Sequence, residues 1–366
     1  MSKNKPIAFI PHKQRIAAHK VDYLRAIAEA MDNPWQAEDG RDLAPIQDKL
    51  NKKCIELSGI PYWTFTNCCT DSLQIAVEAL TNPGDLILVP AYGWRGFANA
   101  VDFMGRKIEF LDTDESGNLD VELAKHRVIN EPKAEAILMV HNFGCITDVK
   151  SLCNLCRELG IKTIEDAAPS FIIDEPYSYV PGSSSDIVCY SFDFTKSPGV
   201  LGSGGGLATR FEDIHSKIYE IQAHGINKKK DVVRVGTKSF LDNTSCAVLL
   251  TEISLFEQNQ YRERRRQIAT WYNENLPFKS VQGENYIWER YSMFVPFDQV
   301  DNVLNNLHSV RCLARTMFKQ PLHTYKFFNS DKVLPGVKKF TTNLVHLPCH
   351  HFLQEEELIR IRNAFG

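Results

Sequence analysis

The sequence predicts an α/β protein: a large domain with a mostly parallel mixed sheet flanked by helices, and a smaller C-terminal α/β domain. Three observations lead there. From about residue 62, short apolar runs of strand type alternate with helical stretches, a pattern that places helices on both faces of a parallel or mostly parallel sheet. After Asn243 the alternation gives way to a long helical stretch and then to short strands. The chain, at 366 residues, is also too long for one simple core.

The elements follow in order. Residues 1–60 are polar and helix-rich. "KVDYLRAIAEAM" carries apolar residues at helical spacing, and "DLAPIQDKLNKKCIELSG" ends on a glycine suited to a helix C-cap. "YWTFT" reads as a strand and "TDSLQIAVEAL" as a helix; "PGD" is a turn, and "LILVP" is a continuous apolar run of buried-strand type. "RGFANAVDFM" is helical and "KIEFLD" a strand. "EAILMVHNF", the helix "VKSLCNLCRELG" and the strand "IKTIED" continue the alternation, and "IVCYSF" and "GGLATR" close it. "TSCAVLLTEISLFEQNQYRERRRQIATWYNEN" reads as one long helix, apolar first and basic later. Beyond it, "YSMFVPF" is a short strand and "QEEELIRIRNAF" a terminal helix. The expected division is 1–243 for the N-terminal helices and large domain, and 244–366 for the linking helix and small domain.

Composition excludes several classes. Hydrophobic residues make up 43% and charged residues 24%, values of a globular chain. The formal charge of −3 offers no basic excess for nucleic acid or an acidic membrane. "MSKNKPIAFIPHKQR" lacks the apolar region of a signal peptide, and no apolar run approaches the roughly 18 residues that span a bilayer. Ten cysteines in a chain this large do not make a disulfide framework, and several sit in apolar segments, which fits a reducing compartment. The expectation is a soluble cytoplasmic protein.

Chemistry concentrates in "VCYSFDFTKSPGVLGSGGGLATR", residues 188–210. A strand-like run leads to Lys196, Pro198 prevents a helix from starting at Ser197, and a glycine-rich segment follows. A desolvated lysine loses its proton near neutral pH and attacks a carbonyl. Pyridoxal phosphate is the common biological aldehyde for this, and it needs a carboxylate for its ring nitrogen, a flat partner and a phosphate cradle. Asp166, after the strand "IKTIE", suits the first role and Trp94 the second. The backbone N–H groups of Thr70 and Asp71 lie where a helix begins and attract phosphate, and Ser191 adds a hydroxyl. Each residue also has a plainer use: a strand-end Asp as a cap, a Trp as core, Thr-Asp as a helix cap. The glycines match neither a P-loop nor a dinucleotide fingerprint, since they precede a strand.

Order and spacing carry more. The chain resembles the DegT/DnrJ/EryC1/StrS family of sugar aminotransferases from about Pro61 to the C-terminus. "TNCCTDSLQIAVEAL" resembles the family's G-T-x-A-L helix start, and "NPGDLILVPAYGWRGFANAVDFMGRKIEFLDTD" its P-G-D-E-V-I-x-P-S segment through to F-V-D-x-D. "AILMVHNFGCITDVKSL" is similar to V-H-x-x-G, "TIEDAAPSF" to E-D-A-A, and "CYSFDFTKSPGVLGSGGGLAT" to S-F-x-x-x-K-x-x-x-x-G-x-G-G. The resemblance implies the aspartate aminotransferase fold (PLP fold type I) and pyridoxal 5'-phosphate as cofactor. It makes Lys196 the lysine that bonds the cofactor, Asp166 the partner of the ring nitrogen, Trp94 the ring stacker, and Thr70, Asp71 and Ser191 phosphate ligands. It further implies transfer of an amino group from an amino acid such as glutamate to a keto sugar, nucleotide-linked in type, by a homodimer with shared active sites.

Three positions depart from the family pattern. Pro169 stands where Gln or His usually follows E-D-A-A, and Ser197 follows the lysine in place of Asn. "GTKSFLD" puts Lys238 where an Asn reaches the phosphate in the neighbouring subunit; an ammonium serves there as a point charge. Lys196 argues against the dehydratases of this fold, some of which carry His at that position. Pro169 and Lys238 are the features that favour a non-catalytic binding or regulatory relative. "CNLC" lies inside an amphipathic helix without a second pair, and no metal site is expected there. "PCHH" is read as a turn, and "NKKKDVVR" as a solvated loop.

Overall fold

The computed structural model describes residues 5–33, 45–172, 178–281 and 286–366. Residues 42–44, expected to open the second helix, and Met1–Asn4 of the N-terminal stretch lie outside the described residues. Helices α1 (His12–Asp32) and α2 (Pro45–Ser58) come first. The alternating part follows as β1 (Tyr62–Thr66), α3 (Cys69–Leu80), β2 (Leu86–Pro90), α4 (Arg95–Phe103), β3 (Lys107–Leu111), α5 (Val121–Asn130), β4 (Ala136–Val140), α6 (Lys150–Leu159), β5 (Lys162–Asp166), β6 (Ile187–Ser191), β7 (Gly205–Thr209) and α7 (Glu212–Gln222).

Seven strands form one sheet in the order β1-β7-β6-β5-β4-β2-β3. All pairings are parallel except the two made by β7. β2 and β4 read as unbroken apolar runs because both their faces are buried. In β4, Ala136, Leu138 and Val140 enter the layer under α3, α4 and α7, while Ile137 and Met139 enter the opposite layer with α5 and α6. In β6, Ile187 and Cys189 take the first face, and Val188 and Tyr190 pack toward α2 and the helix that follows α7. This alternation aligns the carboxyl ends of β2, β4, β5 and β6 along one edge, where ligands bind in such sheets.

The expected single helix over residues 244–275 is two. α8 (Asn243–Gln258) ends at Asn259, and α9 (Tyr261–Asn275) starts after Gln260, whose φ is 52°. No glycine or proline marks this break; a glutamine in the left-handed region makes it. Cys246, Leu249 and Phe256 of α8 belong to the core of the large sheet, whereas Ile268, Ala269 and Tyr272 of α9 belong to the small domain. We infer that the two units divide at this break, within the segment assigned from sequence to the linking helix. β8 (Tyr291–Phe294), α10 (Val300–Ser309), α11 (Pro335–Asn343), the antiparallel partner β9 (Leu344–Leu347) and α12 (Glu355–Arg362) complete the small domain. The extended segment before α1 joins it too, since Ile7 pairs with Cys312. No described helix is long and apolar enough to cross a membrane.

β7 runs close beneath the start of α3. A Cβ on Gly205 would fall on the carbonyl of Cys68 and the backbone nitrogen of Cys69, and backbone cannot move aside as a side chain can. Gly205→Ala is expected to lower stability by about 1–3 kcal/mol, the usual range for overpacking, seen as a lower denaturant midpoint. An unchanged midpoint would mean that α3 is not held against β7 this closely.

Candidate active site

A cavity of about 530 Å³ lies over the carboxyl ends of the parallel strands. Trp94, Asp166, Pro169, Ser191 and Lys196 all line it, together with Thr70 and Cys69 at the start of α3. The topology accounts for this meeting. Asp166 is the last residue of β5 and pairs in register with Cys189, two residues before Ser191 ends β6. β6 is shorter than expected: the chain leaves the strand after Ser191, and Lys196 sits five residues farther on, in a loop.

That loop is held by backbone bonds. Lys196 N–H donates to Asp193 O (2.8 Å), and Val200 N–H to Phe192 O (2.8 Å). Arg15 of α1 donates to the carbonyls of Lys196 (3.2 Å) and Val200 (3.0 Å), and Arg262 of α9 to that of Ser197 (3.3 Å). A Cβ at Gly199 would overlap the carbonyl of Asp193 and press on that of Lys196. The glycine there lets the loop fold back on itself.

Burial lowers the Lys196 pKa from 10.5, and the Arg290 guanidinium lowers it further; Glu289, Cys69 and Asp166 oppose this. A neutral amine is the nucleophilic form. Burial raises the pKa of Asp166, against a hydrogen bond from Ala168 N–H (3.0 Å) and the pull of Lys196 and His141. His141 itself is buried, accepts from Thr147 N–H at Nδ1 and so presents its Nε2 proton to Glu165 at 2.7 Å.

Trp94 is 53% exposed, so it is not core packing. Arg95 lies 4.5 Å over its ring. At the start of α3, Cys68 is the N-cap and its Sγ accepts from Asp71 N–H. The Asp71 carboxylate turns away, toward Ser239 Oγ (2.6 Å) and Cys68 Sγ (3.2 Å), and Asp71 is not part of the cavity lining. Lys238 is also outside it. It is exposed, its carbonyl accepts from Asn67 Nδ2 (3.4 Å), and its ammonium makes no ion pair among the described residues. Pro169 brings no donor to the cavity.

The sequence reading did not reach Arg290, Arg315, Met317 and Phe318, which enter the cavity from the small domain, or Phe9 and Ile10 from the N-terminal segment. The other cysteines and histidines have structural places. Cys153 and Cys156 pack in the core beneath α6. His350 Nε2 lies 2.9 Å from Ala8 O, and His351 stacks on Tyr261 with centroids 3.6 Å apart.

A lysine of lowered pKa, a buried carboxylate, an exposed indole and a helix N-terminus around one cavity fit an aldehyde cofactor with an aromatic nitrogen and a phosphate. The donor set and the tight approach of Gly205 to the α3 terminus suit pyridoxal phosphate, and the class is that of a pyridoxal-phosphate enzyme. The model of the DegT/DnrJ/EryC1/StrS aminotransferase family matches residues 18–366, and the chain belongs to that family. It is 28% identical over 324 residues to the UDP-2-acetamido-2-deoxy-3-oxo-D-glucuronate aminotransferase of Pseudomonas aeruginosa, covering 85% of this chain and 87% of that one. It is 25% identical over 370 residues to the UDP-N-acetyl-3-dehydro-alpha-D-glucosamine 3-aminotransferase of Acidithiobacillus ferrooxidans, covering 99% and 97%. A solved DegT/DnrJ/EryC1/StrS aminotransferase from Brucella abortus superposes with a TM-score of 0.88 at 25% identity, covering 98% of each chain.

The depressed Lys196 gives a pH signature. The neutral fraction of an amine rises with pH, and a lowered pKa moves that rise to lower pH. The rate of covalent capture of pyridoxal phosphate by the cofactor-free protein should therefore rise with a midpoint below 10.5, the ordinary lysine value. A midpoint at or above it, in stopped-flow absorbance, would contradict the burial argument.

Proposed function

We propose that this chain transfers an amino group from an amino acid to a nucleotide-linked keto sugar, with Lys196 and Asp166 as its catalytic residues. The observation that carries the reading is the joint presence of Lys196 and Asp166 in one cavity at the strand ends. The two relatives named above act on UDP-linked 3-oxo sugars, which supports a 3-keto sugar as the acceptor.

When bound, the cofactor supplies an electron sink for a carbanion at the reacting carbon. Lys196 would hold it covalently and would move a proton to and from the substrate carbon. Asp166 keeps the ring nitrogen protonated. Trp94 stacks on the ring. Thr70, the N–H groups at the start of α3 and the Ser191 hydroxyl hold the phosphate. The Asp71 carboxylate braces this turn through Ser239 and so positions the cradle. The protein acts as a homodimer, and Lys238 completes the phosphate site of the neighbouring subunit; its exposed ammonium, which makes no ion pair among the described residues, supports that role. A cytoplasmic setting fits the ten free cysteines, eight of them buried.

The direct experiment separates the two half-reactions. Glutamate alone should convert the loaded protein to the pyridoxamine form, and UDP-linked 3-keto sugars should restore it. A dehydratase or a binding protein would leave the cofactor unchanged by glutamate.

Asp166→Asn should retain cofactor and lose orders of magnitude in turnover, because an amide cannot stabilise the protonated ring nitrogen. Comparable turnover in the variant would rule out this role. Lys238 is tested by mixing Lys196→Ala with Lys238→Glu after reversible dissociation. Shared sites predict that activity returns, since one site of each mixed dimer then has both lysines intact. If Lys238→Glu alone is inactive and mixed dimers form without regaining activity, the cross-subunit role fails.

A further inference from the structure

Trp94 raises a question of placement. An indole that is 53% exposed has few neighbours to hold it. Arg95 stands over its ring, and Phe318 meets it at 6.5 Å with the planes tilted by 54°. One ring edge lies against the backbone of Gly96, where a Cβ would fall 2.7 Å from the indole Cδ1 and Nε1. None of these contacts encloses the ring, so its place is set by the backbone that carries it. That backbone runs from the end of β2 through Tyr92 and Gly93 to the first turn of α4.

Asn142 holds this turn from a neighbouring strand. It is the second residue after β4, is 4% exposed and lines the cavity. Its Nδ2 donates to Gly117 O (2.9 Å) and Tyr92 O (3.3 Å), and its own backbone N–H donates to Asn118 Oδ1 (2.7 Å). Asn118 is buried as well, and its Nδ2 donates to Cys145 O (2.7 Å) and Thr147 Oγ1 (2.8 Å). Two asparagines thus join the loops that leave the carboxyl ends of β2, β3 and β4. The other side of the Asn142 amide fits as closely. Gly93 has a φ of 137°, and a Cβ there would fall 2.8 Å from Asn142 Oδ1 and from Phe97 Cε1. A buried carbonyl needs a donor, and Asn142 supplies one to both Tyr92 and Gly117. In the V-H-x-x-G segment Asn142 falls on an unspecified position, so the resemblance assigns it no role.

We propose that Asn142 is a positioning residue for Trp94: by holding the Tyr92 carbonyl and the Gly93 turn, it fixes the backbone that presents the indole to the cavity. Both protons of its Nδ2 are committed to carbonyls, so it acts through the tryptophan and not by donating to a ligand. The inference rests on the reading of Trp94 as the residue that stacks on the cofactor.

The test labels the full chain with 5-fluorotryptophan and follows it by fluorine NMR, with and without pyridoxal phosphate. Trp94→Phe identifies the Trp94 resonance among those of the five tryptophans. Asn142→Leu keeps the bulk and removes both donated bonds. It should move the Trp94 resonance toward that of free 5-fluorotryptophan and leave that of the buried Trp63 in place. Titration with pyridoxal phosphate closes a double-mutant cycle. Trp94→Ala should weaken binding about two- to tenfold, the usual size of one stacking contact. Asn142→Leu should cost a similar factor in the parent and add nothing in the Trp94→Ala background. A Trp94 resonance unmoved by Asn142→Leu overturns the proposal. So does an equal loss of affinity in both backgrounds, which marks a role in stability or a direct contact. If Asn142→Leu does not fold, Asn142→Ala, which leaves room for cavity water at the two carbonyls, is read in the same way. The spectrum without cofactor decides the placement of Trp94 by itself. A parent that fails to bind pyridoxal phosphate therefore contradicts the transaminase reading and is distinguishable from failure of this proposal.

Discussion

The site depends on keeping one lysine amine out of water at a fixed place. Lys196 is carried on an irregular loop, and an irregular loop alone does not hold a side chain to the tolerance that the proposed proton transfer needs. Rigidity is imported through the carbonyls of Lys196, Ser197 and Val200, which accept from Arg15 and Arg262. These arginines come from α1 and α9, outside the sheet. Arg15 is buried and is balanced by Glu252 of α8 at 3.5 Å, which also accepts from Tyr23 of α1. A buried ion pair is weak evidence of net stabilisation. Here its consequence is positional, because α1, α8 and the lysine loop are joined in one network.

The same network explains why the small domain matters to chemistry in the large one. Arg262 lies just past the Asn259–Gln260 break and touches Phe171, Ser197 and Ile287 through their carbonyls. It therefore links the lysine loop and the chain beyond β5 to the segment that leads into β8. The cavity takes residues from the sheet edge, from the segment around Arg290 and Arg315, and from Phe9 ahead of α1. A chain lacking either unit would lack one wall of it.

Much of this was legible in the sequence. The strands were clear because a doubly covered parallel sheet needs short, fully apolar runs, and "LILVP" and "AILMV" have no other use. Lys196, Asp166, Trp94, Thr70 and Ser191 were legible because each stands at or soon after the end of a strand-like run. The break between α8 and α9 was not, since a left-handed glutamine leaves no mark on hydrophobic spacing. Helices α5 and α7 were passed over; their apolar residues are few and face only one layer. Asp71 illustrates a different gap. Its place at a helix start was clear, but the turn of its carboxylate toward Ser239 depends on a contact 168 residues away. Arg290 and Arg315 belong to none of the motifs, and only the fold brings them to the cavity at the strand ends.

The central claim is that Lys196 is the residue that bonds the cofactor. Borohydride reduction of the protein loaded with pyridoxal phosphate, followed by peptide mapping, tests it most directly. The account predicts a single modified peptide from the 188–210 segment, with the added mass on Lys196. Modification of a different lysine, or none after loading, would contradict it.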